Sequence, residues 1–284
     1  MDALNRETGI VARAANHVGH TLLFIASFDG VLAEYQSDPD RAQVTRVRLQ
    51  LLRRLQQIPG VIVAVISGRP LADLRSRIPL GPEAFYIGLH GFEIAGPQFA
   101  WMWSEGVGEY QDRMRDVVIR LQEMISGVPG VRLEWKGPIV ALHTRDASPD
   151  DVVWSRYQLL SAASDLVNAD VVRGLRGHDV LELLPNVDCT RAGGVRAVRR
   201  CVKERHGRPV FTVYIGEDVA DDDAMHAAAE EDGGVAAVVG RRSGASCHFD
   251  SPDAVGALIG ELITARESGT SGRPGERWCE SGTG

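Results

Sequence analysis

At 284 residues the chain is long for one domain and short for three, so one domain with an insertion, or two domains, is expected. Hydrophobic residues at 44% and charged residues at 24% are enough to build a core, and 31 basic against 38 acidic residues leave a net charge of −7, which argues against a nucleic-acid partner. No apolar run approaches ~20 residues and residues 1–20 lack a signal-peptide core, so a soluble, cytoplasmic protein with no membrane partner is expected. Cys189, Cys201, Cys247 and Cys279 show no C-x-x-C spacing and read as free thiols of a reducing compartment.

Residues 1–20 are polar and weakly periodic and predict a short helix. TLLFIASFDGVL, residues 21–32, follows as a buried run that ends in a serine, an aromatic, an acid and a glycine. A turn-rich loop leads to a helix predicted over 41–57, where Val44, Val47, Leu51, Leu52 and Leu55 recur at helical spacing. Pro59-Gly60 stops it, and VIVAVI at 61–66 predicts a second buried strand ending at Ser67-Gly68-Arg69. Pro70 opens a further helix, and a third strand over 85–89 ends at His90-Gly91. Three successive β-then-α units predict a parallel, doubly wound sheet.

The pattern then changes. A helix over 107–126, a strand over 139–143, a helix over 153–167 and a strand over 180–184 predict an α+β lid spanning 106–186, inserted into a core built from 1–105 and 187–266. The first pattern resumes with a helix over 195–204, a strand over 210–215 that delivers GEDVADDDAM, a strand over 235–239 and a closing helix from Pro252 to about Arg266. The tail, 267–284, is rich in Gly, Ser and Thr and is expected to be disordered.

Ligands of open α/β sheets bind outside the carboxyl ends of the strands. Four such ends carry polar groups: Ser27-x-Asp29-Gly30, Ser67-Gly68-Arg69, the segment near Arg191, and Glu217-Asp218 with Asp221 and Asp222. An acid cluster facing a second acid suits a magnesium site for a phosphorylated substrate, because the ion takes hard oxygens and keeps several waters. Ser67 and neighbouring amides at a helix amino terminus suit phosphate oxygens. The bland alternatives are polar turns and a solvated helix start favoured by the helix dipole. A nucleotide-binding oxidoreductase is excluded, since no G-x-G-x-x-G follows the first strand.

These residues carry a family resemblance. SFDGVL resembles D-x-D-G-T-L, the first motif of the haloacid dehalogenase superfamily; ISGRP resembles its second motif and GEDVADDDAM its G-D-D-x-T-D-E-x-A-F. GLHGFEI, EWKGPIVALHTR and LELLP are similar to G-x-H-G-x-E, E-D-K-x-x-S-x-x-x-H-Y-R and E-x-R-P of the trehalose-6-phosphate phosphatase branch. The resemblance spans residues 20–262 and implies a doubly wound α/β core with an α+β cap, acting on a sugar phosphate such as trehalose 6-phosphate with Mg2+. It implies Asp29 as general acid/base and magnesium contact, Ser67 and Arg69 at the phosphoryl group, and Glu217, Asp218 and Asp221 at the metal. His90, Glu93, Lys136, His143, Arg145 and Glu182 would grip the sugar.

The chain also departs from that pattern. The family's aspartate nucleophile is Ser27 here, its phosphate-binding threonine is Val31, and its K-G-x-A motif reads RAGGVRAV, with Arg191 as the available cation. Ile139, Thr144 and Leu184 stand where the family has serine, tyrosine and arginine. The resemblance therefore implies a pocket that outlives its chemistry: a pseudophosphatase with a weakened magnesium site, free to associate with a trehalose-6-phosphate synthase or an active paralogue. The alternative is an active magnesium-dependent phosphatase, using water directly or a displaced acid such as Asp38 or Asp40.

Overall fold

The computed structural model describes residues 3–36, 38–97, 99–102, 107–177, 179–187, 189–217, 219–230, 234–240 and 247–270. Helix α1 (Ala3–Asn16) leads into β1 (Thr21–Ser27), whose residues are all buried. Helix α2 (Arg46–Gln56) starts later than its periodicity predicts, because the Thr45 side chain caps it by accepting from the Arg48 amide at 3.2 Å. Val44, expected inside that helix, instead bridges Ala33. Then come β2 (Val61–Ile66), α3 (Leu71–Arg77) and β3 (Phe85–Gly88), followed by a hairpin absent from the sequence reading, β4 (Glu93–Gly96) and β5 (Phe99–Met102).

The cap follows with α4 (Val107–Ile125), β6 (Arg132–Trp135), β7 (Val140–His143), α5 (Pro149–Ala162), α6 (Ser164–Asn168), β8 (Val172–Gly177) and β9 (Val180–Pro185). The single helix predicted over 153–167 is thus two, broken at Ala163. The chain returns through α7 (Arg191–His206), β10 (Val210–Gly216), α8 (Asp222–Ala229), β11 (Val235–Val239), β12 (His248–Phe249) and α9 (Pro252–Thr270). Helix α9 carries residues 267–270, which the sequence assigned to a disordered tail; residues 271–284 lie outside the described residues.

The larger sheet has the order β12-β11-β10-β1-β2-β3-β4-β5, parallel from β12 to β3 and antiparallel thereafter. Along β1, Leu22, Phe24 and Ala26 face one layer, with Leu52 and Leu55 of α2 and Leu258 and Leu262 of α9. Leu23 and Ile25 face the other, with Val195 and Val198 of α7 and Ala224 and Ala228 of α8. A strand covered on both faces has to be apolar throughout, which is why β1 reads as a continuous run rather than an alternating one. Full burial of each of its large side chains contributes about 1.5 to 3 kcal/mol.

The second sheet, β6-β7-β9-β8, is antiparallel and packs on α4 through Met114, Val117, Leu121 and Ile125. A small apolar cluster joins the two parts: Leu89 and Phe92 from the core meet Ile139 and Leu184 from the cap. Among the described residues no helix is long and apolar enough to cross a membrane. Cys189, Cys201 and Cys247 form no disulfide among the described residues, and Cys279 lies outside them.

Candidate functional site

In the larger sheet the strand order reverses at β1, which lies between β10 and β2. The carboxyl ends of these three strands open into a cleft that the cap covers. Ser27, Asp29, Ser67, Arg69, His90 and Asp221 line it from the core. Lys136, His143, Arg145 and Glu182 line it from the cap, with Glu217 on the core loop after β10.

Asp29 sits in the turn after β1 and receives both arms of Arg69, Nε at 2.9 Å and Nη2 at 2.7 Å. The remaining arm of Arg69 reaches Asp73 at 3.1 Å, and Nη2 also donates to the Pro39 carbonyl at 2.8 Å. Burial lowers the guanidinium's pKa, but the hydrogen bonds and charges of Asp29 and Asp73 outweigh it and hold Arg69 protonated. Ser67 is buried after β2, and its hydroxyl oxygen accepts from the Arg69 amide at 3.1 Å. One amide at the start of α3 is taken within the chain: Glu93 Oε2 accepts from the Leu71 amide at 2.6 Å. Glu93 is half-buried there, outside the residues that line the cleft, and burial raises its pKa although the Leu71 amide opposes this.

The centre of the site is a buried polar chain that crosses from core to cap. Asp221 pairs with Arg191 Nη1; Arg191 Nε donates to His90 Nδ1 at 3.0 Å; His90 Nε2 meets Glu182 Oε2 at 2.6 Å; and Lys136 Nζ donates to Glu182 Oε1 at 2.8 Å. Because the Arg191 Nε–H can only donate, Nδ1 of His90 must accept, and Nε2 then carries the proton offered to Glu182. Burial favours that neutral form and lowers the pKa of His90, although the Glu182 charge opposes it. Burial alone would raise the Glu182 pKa, but the Lys136 charge and the hydrogen bonds from His90 and Lys136 hold it well below the usual carboxylate range. Lys136 is pushed the other way: burial lowers its pKa, and Glu182 and Glu134 raise it past the ordinary value.

Backbone shape fixes this chain in place. Leu89 and His90 lie in the left-handed region at φ 46° and 58°, a strain of about 1 to 3 kcal/mol each that side chains bear only when their surroundings enforce it. At Gly68 a Cβ would stand 2.5 Å from His90 Nε2, and at Gly91, φ +104°, one would stand 2.3 Å from the Thr190 carbonyl oxygen. Thr190 caps α7 by accepting from the Gly193 amide, so Gly91 sets the position of Arg191. Gly91→Ala is expected to destabilise the fold by about 3 kcal/mol through overpacking and strain together, read as a lower urea midpoint. A midpoint unchanged from that of the parent chain would refute this.

The cap contributes further pairs. His143 Nε2 meets Glu134 Oε2 at 2.8 Å; burial raises the Glu134 pKa, but the His143 bond and the Lys136 charge win and lower it to about 2. Arg145 stacks over the Tyr35 ring at 4.8 Å and donates to the Gln36 carbonyl, and the Tyr35 hydroxyl donates to Glu217 Oε2 at 2.9 Å. Tyr35, Glu134 and Tyr214 were not singled out as site residues in the sequence. Glu134 was available there, as the first residue of EWKGPIVALHTR; the two tyrosines carry no motif signal.

Asp218 lies outside the described residues. The described acids implied for magnesium do not fit the ion. Asp221 is 1% exposed and takes Arg191 Nη1, the Tyr214 hydroxyl at 2.6 Å and the Glu217 amide at 3.0 Å. Glu217 takes Tyr35, and Asp29 takes Arg69. Among the described residues no three His, Cys, Asp or Glu side chains converge in a way that could hold a metal ion. Mg2+ needs near-octahedral oxygens at about 2.0–2.1 Å, and a guanidinium already seated on the carboxylate opposes it.

Comparison with known proteins places this geometry. The sequence profile of the family described as Trehalose-phosphatase matches residues 25–252. The trehalose-phosphate phosphatase of Mycobacterium marinum is 31% identical over 244 residues, covering 84% of this chain and 60% of that protein. The chain therefore spans little more than half the length of that curated relative. The C-terminal domain of trehalose-6-phosphate phosphatase from C. albicans superposes with a TM-score of 0.72 at 19% identity, over 90% of this chain and 96% of that one. A haloacid dehalogenase-like hydrolase from B. subtilis superposes at 0.52 and 14% identity, over 84% of this chain and 98% of the other. At these identities the structural likeness is one of fold, a mostly parallel α/β core with an antiparallel cap sheet.

Proposed function

Because the chain belongs to the trehalose-phosphatase family, we propose that it binds a disaccharide phosphate such as trehalose 6-phosphate and hydrolyses it far more slowly than catalytic members, or not at all. The observation that carries this reading is Ser27, a cleft-lining hydroxyl at the position the resemblance gives to an aspartate nucleophile. A serine needs a base, and both nitrogens of His90 are committed, Nδ1 to Arg191 and Nε2 to Glu182. Binding is supported by Lys136, Glu182 and His90, which present hydrogen-bonding groups to the cleft from both the cap and the core. Those same groups hold the cap side chains in place before any sugar arrives.

On this reading the protein is a cytoplasmic binder or sensor of the sugar phosphate, with a trehalose-6-phosphate synthase or an active paralogue as its natural partner. The second reading, an active phosphatase, draws on Asp29, which lines the cleft where a general acid is required. Calorimetric titration with trehalose 6-phosphate tests the first. Saturable binding is expected, and Lys136→Met should weaken it by about tenfold or more, the loss of one charge-assisted contact. Absence of both heat and thermal shift at millimolar ligand would remove the sugar-phosphate reading.

A further inference from the structure

We infer that the Arg191 guanidinium is the resident cation of this cleft and that trehalose 6-phosphate binds to it without magnesium, an inference that rests on the sugar-phosphate reading above. Three of the acids that the resemblance assigns to the ion are each already neutralised or held by a group of the chain itself. Asp29 is forked by Arg69, Glu217 holds the Tyr35 hydroxyl, and Asp221 holds three donors. A carboxylate offers about four lone-pair sites, so Asp221 has little left to give a hard cation that demands short, regular oxygen contacts.

Arg191 is placed as a bound ion would be. Its side chain is 9% exposed and lines the cleft, and it is held at Nη1 by Asp221 and at Nε by His90. It stands on the first turn of α7, a helix capped by Thr190, so its backbone is fixed as well. A guanidinium stays protonated throughout the accessible pH range, unlike a lysine in the same setting, and with Nε and Nη1 held, Nη2 is the nitrogen left to meet a phosphate oxygen. The cleft also presents the buried cations Arg69 and Lys136, so a phosphate meets three fixed cationic side chains, each oriented by a carboxylate of the chain. A divalent ion beside Asp221 would be repelled by the guanidinium it has to displace.

Two titrations separate this inference from the reading it rests on. Magnesium titrated calorimetrically into the chain alone is expected to give no saturable binding at millimolar concentration; saturable binding overturns the inference whatever the sugar phosphate does. Trehalose 6-phosphate titrated in EDTA and in excess magnesium is expected to give dissociation constants equal within about twofold. Tightening by about tenfold or more in magnesium overturns the inference and leaves the sugar-phosphate reading intact. Absence of binding in both buffers overturns that reading and the inference with it. Arg191→Met should weaken binding in EDTA by about tenfold or more and confer a magnesium response, because Asp221 loses its counter-charge. Since that variant leaves a buried carboxylate unpaired and can unfold the chain, Arg191→Lys is measured beside it. The lysine variant should bind about tenfold more weakly in both buffers, because an ammonium cannot hold Asp221 and His90 and still reach the phosphate, and unchanged affinity would overturn the role given to Arg191.

Discussion

Phosphate release from trehalose 6-phosphate by the unaltered chain is expected to run about 10⁴- to 10⁶-fold below that of a family member with aspartate at the position of Ser27, a barrier about 5 to 8 kcal/mol higher. A carboxylate attacks as an anion, whereas a serine hydroxyl attacks only after a base takes its proton. His90 cannot take it, because Nδ1 already accepts from Arg191 and Nε2 already carries the proton it offers to Glu182. Asp29 is held by two N–H groups of Arg69, which occupy the oxygens a leaving group or water would have to reach. Ser27→Asp is expected to raise the rate at least about tenfold while recovering only part of the deficit, since Arg69 and Arg191 stay tied to Asp29 and Asp221. Continuous phosphate detection on both chains decides it: turnover of about 1 s⁻¹ or more by the unaltered chain would establish the active reading instead.

The parts of this fold that are legible in sequence are those where one physical demand dominates. Strands β1, β2 and β10 are buried on both faces and so read as unbroken apolar runs, and α4 shows its inward stripe at helical spacing. Strands β6 and β8 leave little mark in the sequence because each lies at an edge of the cap sheet, with two of four and two of six residues exposed and one fully buried between them. Their sequences, RLEW and VRGLRG, are short or glycine-bearing and carry no clear period. The hairpin of β4 and β5 is hidden in the same way, by four-residue strands around Pro97.

The site divides along a similar line. Motif order locates Ser27, Asp29, Ser67, Lys136, His143, Arg145 and Glu182, and the structure brings all of them to one cleft. Motif order does not say what each side chain is bonded to. Glu93 satisfies its motif and yet spends its carboxylate on the Leu71 amide, a local choice made by the start of α3. Arg191 and Asp221 are 30 residues apart, and their pairing depends on α7 and β10 meeting in three dimensions. Tyr214 reads as one more apolar position of a buried strand, while its hydroxyl reaches Asp221 at the end of that strand.

Glu182→Ala carries the largest expected effect on stability, about 3 to 5 kcal/mol, measured by urea or thermal unfolding. Glu182 is 6% exposed and is the shared acceptor for Lys136, 8% exposed, and for His90. Truncation leaves a buried ammonium without its main counter-charge, whereas removing both charges with Glu182→Met and Lys136→Met together should restore most of the loss, because the desolvation of the pair disappears with the pair. Equal losses in the single and double variants would show that packing, not charge, is at stake. The same pair fixes the direction of the acid response. His90 and Glu182 both have folded pKa values depressed from 6.5 and 4.5, so the unfolded chain binds more protons in those windows. Their stabilisation is present in full above about 6.5 and is lost as pH falls, first through the His90 window and then below about 4.5, where the unfolded chain protonates Glu182 while the folded chain does not. Lys136, raised from 10.5, keeps its share until pH climbs past that value. Thermal midpoints should therefore fall from pH 6.5 downward in the parent chain, and below about 4.5 they should fall less steeply in the double variant, which lacks the buried carboxylate. A parallel decline in the two chains would place the acid sensitivity outside this core-to-cap chain.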